Sequence, residues 1–237
     1  LSLVIATRDT NKENTIRNKR FERAKNKGGK PKKVKQQWKM KELDYGMFGE
    51  LIMNLDFSPN NHSIVYPKYR YGKNQSLIFD LFSININTKE KTQLTFSMRA
   101  NYPKFSPNGE KILFVAHKNS VSQLFIMNKD GSDKRQLTKN ENNIQIITPA
   151  WSPNGDEVAF AKSDPNGNLD IYILKISTGE IKQITNSEEG DFQPIWHPKG
   201  RKISYTGLYD YTPNLFTFDL ESGITVQNTD VGDMVIG

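Results

Sequence analysis

The chain contains no cysteine. That excludes a disulfide framework, a thiolate metal site and a cysteine nucleophile, and it leaves the redox compartment open. Long apolar runs are missing too. The stretch Leu1-Ser2-Leu3-Val4-Ile5-Ala6 falls far short of the roughly 20 residues a helix needs to span a bilayer. Histidine is limited to His62, His117 and His197, and there is no His-Glu-x-x-His and no Gly-x-Ser-x-Gly. The histidines sit in or beside turns or after a strand, where exposed turn positions explain them better than a metal trio. No glycine-rich phosphate loop precedes a helical pattern. The first residue is Leu1 and no complete signal peptide follows, so the chain is expected to begin inside a longer protein.

What is present suffices for a sizeable core: 237 residues with 13 Phe, 9 Tyr and 3 Trp. The net charge of +7 is uneven. Residues 1–50 carry 14 Lys/Arg against 6 Asp/Glu, and the remainder carries 19 against 20. A basic arm therefore precedes an almost neutral body, and the overall charge is no argument for nucleic acid.

The body repeats. Phe57-Ser58-Pro59-Asn60-Asn61 recurs as Phe105-Ser106-Pro107-Asn108-Gly109, as Trp151-Ser152-Pro153-Asn154-Gly155 and as Trp196-His197-Pro198-Lys199-Gly200, at spacings of 48, 46 and 45 residues. Each copy closes on a similar phrase: Gln93-Leu94-Thr95, Gln136-Leu137-Thr138, Gln183-Ile184-Thr185 and Gln227-Asn228-Thr229. Alternating runs such as Lys111–Val115 and Asp170–Leu174 lie between, so each unit reads as four short antiparallel strands. Proline and glycine make the first turn, with Asn61 in the glycine's left-handed place. A sheet of about 45 residues cannot bury both faces alone. Stacked radially, each covers its neighbour, which is an all-β propeller of four-stranded antiparallel blades. Phe57, Phe105, Trp151 and Trp196 are then expected between blades.

These units resemble the TolB-type propeller repeat. The third copy carries the pattern most fully, in Pro149-Ala150-Trp151-Ser152-Pro153-Asn154-Gly155, then Gly167-Asn168-Leu169-Asp170-Ile171-Tyr172, then Ile184-Thr185. The resemblance covers about residues 50–229, in units of about 50–95, 96–138, 139–185 and 186–229. Leu55, His197 and Asn228 depart from it and put the regularity of the end blades in question. TolB-like propellers have six blades, so four recognisable copies imply either a propeller with further, less recognisable blades or, the preferred reading, a fragment of a larger propeller, with 1–33 as a flexible basic arm or linker and 34–237 as blades. Val34–Leu43, with Trp38, Met40 and Leu43 on one side, is read as an outer strand of a preceding or closing blade.

The resemblance implies a non-catalytic protein-binding or scaffold module of a bacterial exported or cell-envelope protein, located in the periplasm or envelope. The alternative is the accessory propeller of a peptidase (prolyl-oligopeptidase-like, tricorn-like or metallopeptidase-linked) whose catalytic domain lies outside this chain. No cofactor or metal is implied. The segment Asp164-Pro165-Asn166-Gly167-Asn168-Leu169-Asp170 places oxygen ligands at alternate positions like the start of a calcium loop. Its glycine stands fourth rather than sixth and Lys175 replaces the closing glutamate, so a structural turn is the stronger reading.

Recognition residues are sought in the loops. From the leading aromatic to the third strand takes 23 residues in the first unit and 18, 19 and 18 in the others. The first loop is therefore longer and is expected to contain Tyr69-Arg70-Tyr71; its counterpart in the fourth unit holds Tyr209-Asp210-Tyr211. The connections Phe96–Asn101 and Lys139–Thr148 emerge on the same face, which adds Met98 and Arg99. Tyrosine and arginine offer rigid area with a polar tip, as binding hot spots require. The arm, with Arg17, Lys19, Arg20, Arg23, Lys25, Lys27, Lys30, Lys32, Lys33 and Lys35, is read as a solvated linker or as a contact for an anionic membrane surface or acidic partner. Nucleic acid is disfavoured, because only Phe21 and Trp38 are available to stack on bases. If Leu1–Ala6 ended a membrane helix, the adjoining charges would favour a cytoplasmic placement, against the envelope location of the family.

Overall fold

The computed structural model describes residues 2–8, 10–26, 38–45, 54–71, 76–118, 120–141 and 143–231. Its contacts divide the chain into two units, Leu1–Leu51 and Ile52–Gly237.

In the first unit, strand β1 (Ser2–Arg8) and strand β2 (Trp38–Tyr45) flank helix α1 (Thr10–Asn26) in sequence. The strands pair antiparallel, Ser2 opposite Tyr45 and Arg8 opposite Trp38. This corrects the expectation of a flexible arm over 1–33, and it turns Leu1–Ala6 from a candidate helix end into a strand. The reason lies in the sequence. Residues 10–26 contain no proline or glycine, are rich in Lys, Arg and Glu, and place Glu13 in the first turn, where the helix dipole favours it. It also corrects the placement of Trp38, Met40 and Leu43, because among the described residues β2 pairs with β1 in a two-stranded sheet of its own. Lys27, Lys30, Lys32, Lys33 and Lys35 lie outside the described residues. Among those described, no helix is long and apolar enough to cross a membrane.

The second unit holds four sheets. The first comprises β3 (Asp56–Phe57), β4 (Ser63–Tyr71), β5 (Leu77–Asn85) and β6 (Lys91–Gln93); the second β7 (Asn101–Phe105), β8 (Lys111–Lys118), β9 (Val121–Asn128) and β10 (Arg135–Gln136). The third comprises β11 (Ile146–Trp151), β12 (Glu157–Ser163), β13 (Leu169–Lys175) and β14 (Ile181–Gln183); the fourth β15 (Asp191–Trp196), β16 (Lys202–Tyr209), β17 (Thr212–Asp219) and β18 (Thr225–Gln227). Every sheet is an antiparallel meander in sequence order, and the first strands of successive sheets contact one another. These are propeller blades.

The first turn of each blade follows the chemistry of its residues. Ser58, Ser106 and Ser152 each donate to the asparagine two places on, at 2.7 Å, and accept from the N–H that opens the second strand, at 2.9 Å. The fifth residue is left-handed in all four copies, with φ of 56° at Asn61 and 75°, 79° and 70° at Gly109, Gly155 and Gly200. Blade cohesion comes from period-two alternation. In β8, Ile112, Phe114 and Ala116 face the first blade, while Leu113 and Val115 face the third. Indole N–H groups bridge blades as well: Trp151 donates to the Lys104 carbonyl at 3.0 Å and Trp196 to the Ala150 carbonyl at 3.2 Å. Phe105 and Trp196 are buried and Trp151 packs against the second core cluster, but Phe57 is 44% exposed. Its expected burial is corrected. The aromatic of each blade packs on the blade before it, and among the described residues none precedes the first.

The closing phrase of each repeat has a buried purpose. Thr95, Thr138, Thr185 and Thr229 each use Oγ1 to accept the N–H of Leu81, Leu124, Ile171 or Leu215, at 2.8–3.0 Å. The same hydroxyls donate to Asp80, Gln123, Asp170 and Asn214 on the third strand, at 2.8, 2.8, 3.3 and 3.0 Å. Those side chains also accept backbone N–H groups of the connection to the next blade, from Ser97, Asn140, Ser187 and Val231. Gln93, Gln136, Gln183 and Gln227 close the cluster by donating to the threonine carbonyls.

The two departures in the fourth blade belong together. His197 Nε2 lies 3.0 Å from Ser204 Oγ, which lies 2.9 Å from Thr217 Oγ1, and Thr217 donates to Asn228 Oδ1 at 2.6 Å. By register, Ser204, Thr217 and Asn228 occupy the places of Leu113, Ile126 and Leu137 in the second blade. A polar ladder thus replaces an apolar face.

The threonine cluster can be tested at its most buried polar member in the second blade. Thr138→Val leaves the Leu124 N–H without an acceptor and is expected to cost about 2 kcal/mol in denaturant unfolding. Thr138→Ser keeps the hydroxyl and should recover most of that. A large loss for Thr138→Ser with little loss for Thr138→Val would mean the methyl, not the hydroxyl, stabilises the blade.

Candidate partner-binding face

An antiparallel meander sends its turns alternately to opposite ends, so the second-to-third strand hairpins and the blade-to-blade connections share one face of the propeller. The recognition candidates fall at that face, with three changes. Tyr69, Arg70 and Tyr71 end strand β4, paired with Phe79, Ile78 and Leu77, so the extra residues lengthen a hairpin instead of enlarging a loop. Arg70 is committed to structure. It pairs through Nε with the fully buried Asp80 and donates to the Tyr71 carbonyl and to Ser97 Oγ at 3.0 and 3.1 Å. Met98 is half-buried against the core between the first two blades. The residues left outward are Arg99, Tyr71, 61% exposed, and the Tyr209-Asp210-Tyr211 turn, whose tyrosines are 64% and 82% exposed. That turn is tight: Asp210 and Tyr211 both take left-handed backbone (φ 50° and 59°), and Glu189 accepts the Tyr211 N–H at 2.9 Å.

Tyr69 and Arg99 meet in a cleft of about 760 Å³, with His117, Asn101, Ser120 and Phe79. The Tyr69 ring stacks on Phe79 at 3.8 Å between centroids. Burial, and then the charge of Arg99, hold the His117 pKa below its ordinary value. His117, Asn101 and Ser120 were not among the sequence candidates. His117 nearly ends the second strand of its blade as Tyr69 nearly ends its own, and that shared register was the available signal. Tyr209 and Tyr211, three blades along the chain, form a separate patch.

A second cleft, of about 350 Å³, is lined by Asp191, Tyr205, Tyr209 and Ser187. Asp191 is buried where the third blade has Ile146. Burial raises its pKa from 3.8 to about 6, with Asp170 adding to the rise and a hydrogen bond from Thr185 opposing it. Burial first, and then Asp191, push Tyr205 up to about 12. Gly207 makes the room: a Cβ there would lie 2.7 Å from Asp191 Oδ1.

The segment Asp164–Asp170 is a turn. Asp164 Oδ1 accepts the N–H groups of Asn166 and Asn168 at 2.8 and 2.9 Å, and Asp170 sits in the threonine cluster. Among the described residues no three His, Asp or Glu side chains gather as a metal site would require.

Residues 142–235 match the family model of the TolB beta propeller domain. These residues carry TolB-type propeller blades. A curated relative, the protein TolB homolog of Chlorobium luteolum, is 33% identical over 156 residues, which is 65% of this chain and 35% of the relative. The Tol-Pal system protein TolB of Alcanivorax borkumensis is 28% identical over 97 residues, covering 40% of this chain and 22% of its own length. The chain thus spans about a third or less of the curated relatives it matches. Among solved structures, the putative TolB of Agrobacterium tumefaciens superposes with a TM-score of 0.67 at 19% identity, over 81% of this chain and 66% of that one. A puromycin-hydrolyzing peptidase of Mycobacterium tuberculosis gives 0.62 at 14% identity, over 81% and 34%. At such identities the structures share the fold alone.

Within these TolB-type blades, Asp191 makes a pH signature. An acid whose pKa rises on folding binds its proton more tightly folded than unfolded, so ionisation weakens the fold. The penalty is absent below about pH 3.8, grows to about pH 6 and persists above. Asp191→Asn is therefore expected to stabilise the propeller at pH 7.5 by on the order of 2 kcal/mol, with the advantage shrinking between pH 6 and pH 4. A pH-independent difference in melting temperature would contradict the buried-acid assignment.

Proposed function

We propose that this chain is a non-catalytic, protein-binding propeller segment of a bacterial cell-envelope protein acting in the periplasm or at the envelope. The observation that carries the reading is the display of Tyr71, Tyr209 and Tyr211, all well exposed, on the loop face of blades fixed by buried hydrogen bonds. A rigid support lowers the ordering cost of binding, and large aromatic side chains supply anchors. The TolB names of its relatives support an envelope role. Arg17 and Lys19 on α1 are exposed and offer contact with an anionic membrane surface.

The second reading, an accessory propeller beside a peptidase domain, is favoured by the likeness to the puromycin-hydrolyzing peptidase. Hydrolysis of aminoacyl amides by the full-length protein would select it.

Tyr209→Ser combined with Tyr211→Ser should leave melting unchanged, since both rings are exposed. The same pair should weaken capture of envelope proteins by the immobilised chain roughly 30-fold, as loss of a hot spot does. Undiminished recovery of the same proteins would remove this patch from the interface.

A further inference from the structure

We infer that the cleft between the first two blades is a carboxylate site, which takes the C-terminal carboxylate of a peptide ending in an apolar residue. The inference deepens the protein-binding reading and rests on it.

The cleft is lined by donors without acceptors. Arg99 has no hydrogen-bond or ion-pair partner among the described residues, and the buried carboxylate of the first blade is already saturated: Asp80 accepts from Arg70, Thr95, Ser97 and Met98. Asn101 accepts through Oδ1 from the Tyr102 N–H at 2.8 Å and from Asn54 Nδ2 at 3.3 Å, so its amide N–H groups are the ones left to donate. The His117 imidazole and the Ser120 hydroxyl complete the set, and neither has a side-chain partner among the described residues. Among the described residues no aspartate or glutamate lines the cleft. A solvent-reachable guanidinium, with a half-buried imidazole and amide beside it and no carboxylate among the described lining residues, is a set of donors that an anionic oxygen can join by charge-assisted hydrogen bonds.

The backbone presents these groups firmly. Ser97, Arg99 and Tyr102 all have left-handed φ, of 57°, 51° and 51°. Such residues persist only where their surroundings over-determine them. Here the N–H groups of Ser97 and Met98 are held by Asp80 and the Met98 carbonyl by the His117 N–H at 3.2 Å. Beside the donors, Tyr69 stacked on Phe79 makes a flat aromatic wall. A carboxylate next to an apolar side chain meets both surfaces at once, and 760 Å³ holds one or two residues.

The probe is N-acetylphenylalanine, titrated into the full chain while the ring resonances of its three histidines are followed. His117 should shift with saturation, and His62 and His197 should not. The N-acetylphenylalanine amide should shift none of them. Arg99→Gln should weaken the response about tenfold or more without changing the melting temperature, and His117→Gln should weaken N-acetylphenylalanine competition against a labelled C-terminal peptide. Equal binding of acid and amide, or an unchanged titration with Arg99→Gln, overturns the carboxylate site. A stronger response to N-acetylaspartic acid amide overturns the C-terminal assignment in favour of acidic side chains. Capture through Tyr209 and Tyr211 is read separately, so its persistence alongside a failed titration would defeat this inference and leave the protein-binding reading standing.

Discussion

The structure depends on a hydroxyl. In each blade a threonine at the end of the outermost strand accepts a backbone N–H of the third strand and donates to that strand's polar side chain, which in turn holds the connection to the next blade. Thr95, Thr138 and Thr185 are buried, so their partners have no water to fall back on, and an unpaired buried group costs about 1–3 kcal/mol. One polar cluster therefore ties together the outer strand, the third strand and the blade-to-blade connection. The apolar stacking between blades supplies most of the free energy, but it is non-directional. The threonine cluster is what decides where the connections, and with them the loop face, must lie.

The repeat was legible because two landmarks kept one period. The turn serines and Asn61 were legible for a local reason, since turn chemistry is written in neighbouring residues. The threonine phrase was visible as a landmark but its partners were not, because Asp80 and Thr95 come together only through strand pairing. The same limit hid the ladder. His197 and Asn228 stood out as separate lapses from the pattern, and only register joins them through Ser204 and Thr217. Tyr69-Arg70-Tyr71 was misplaced because length alone does not say whether extra residues enlarge a loop or extend a hairpin. For residues 1–26, charge and the following Gly28-Gly29 outweighed the helix-forming content of Thr10–Asn26 and the β-prone run that pairs with Trp38–Tyr45.

The proposed sites concentrate where the repeat is broken. Arg99 and Tyr102 hold left-handed backbone, Asp191 is an acid at an apolar position, and Asp210-Tyr211 makes a tight left-handed turn that presents two tyrosines. Each local cost is offset by the blade beneath it, which is how a rigid scaffold holds strained or charged groups at its rim. Stacked propeller blades thus explain both the uniform interior and the uneven face. The exposed tyrosines and the donor-lined cleft lie on that face, one at the fourth blade and one between the first two.

The central claim is that the threonine clusters hold the loop face as part of the globally folded core. Native-state hydrogen exchange tests it most directly, read at the amides of Leu81, Leu124, Ile171, Ser97, Asn140 and Ser187. The account predicts that all six exchange only through global unfolding, with matching free energies and matching denaturant dependence. Fast exchange of Ser97, Asn140 and Ser187 while the strand amides stay protected would show that the connections open independently, and would contradict it.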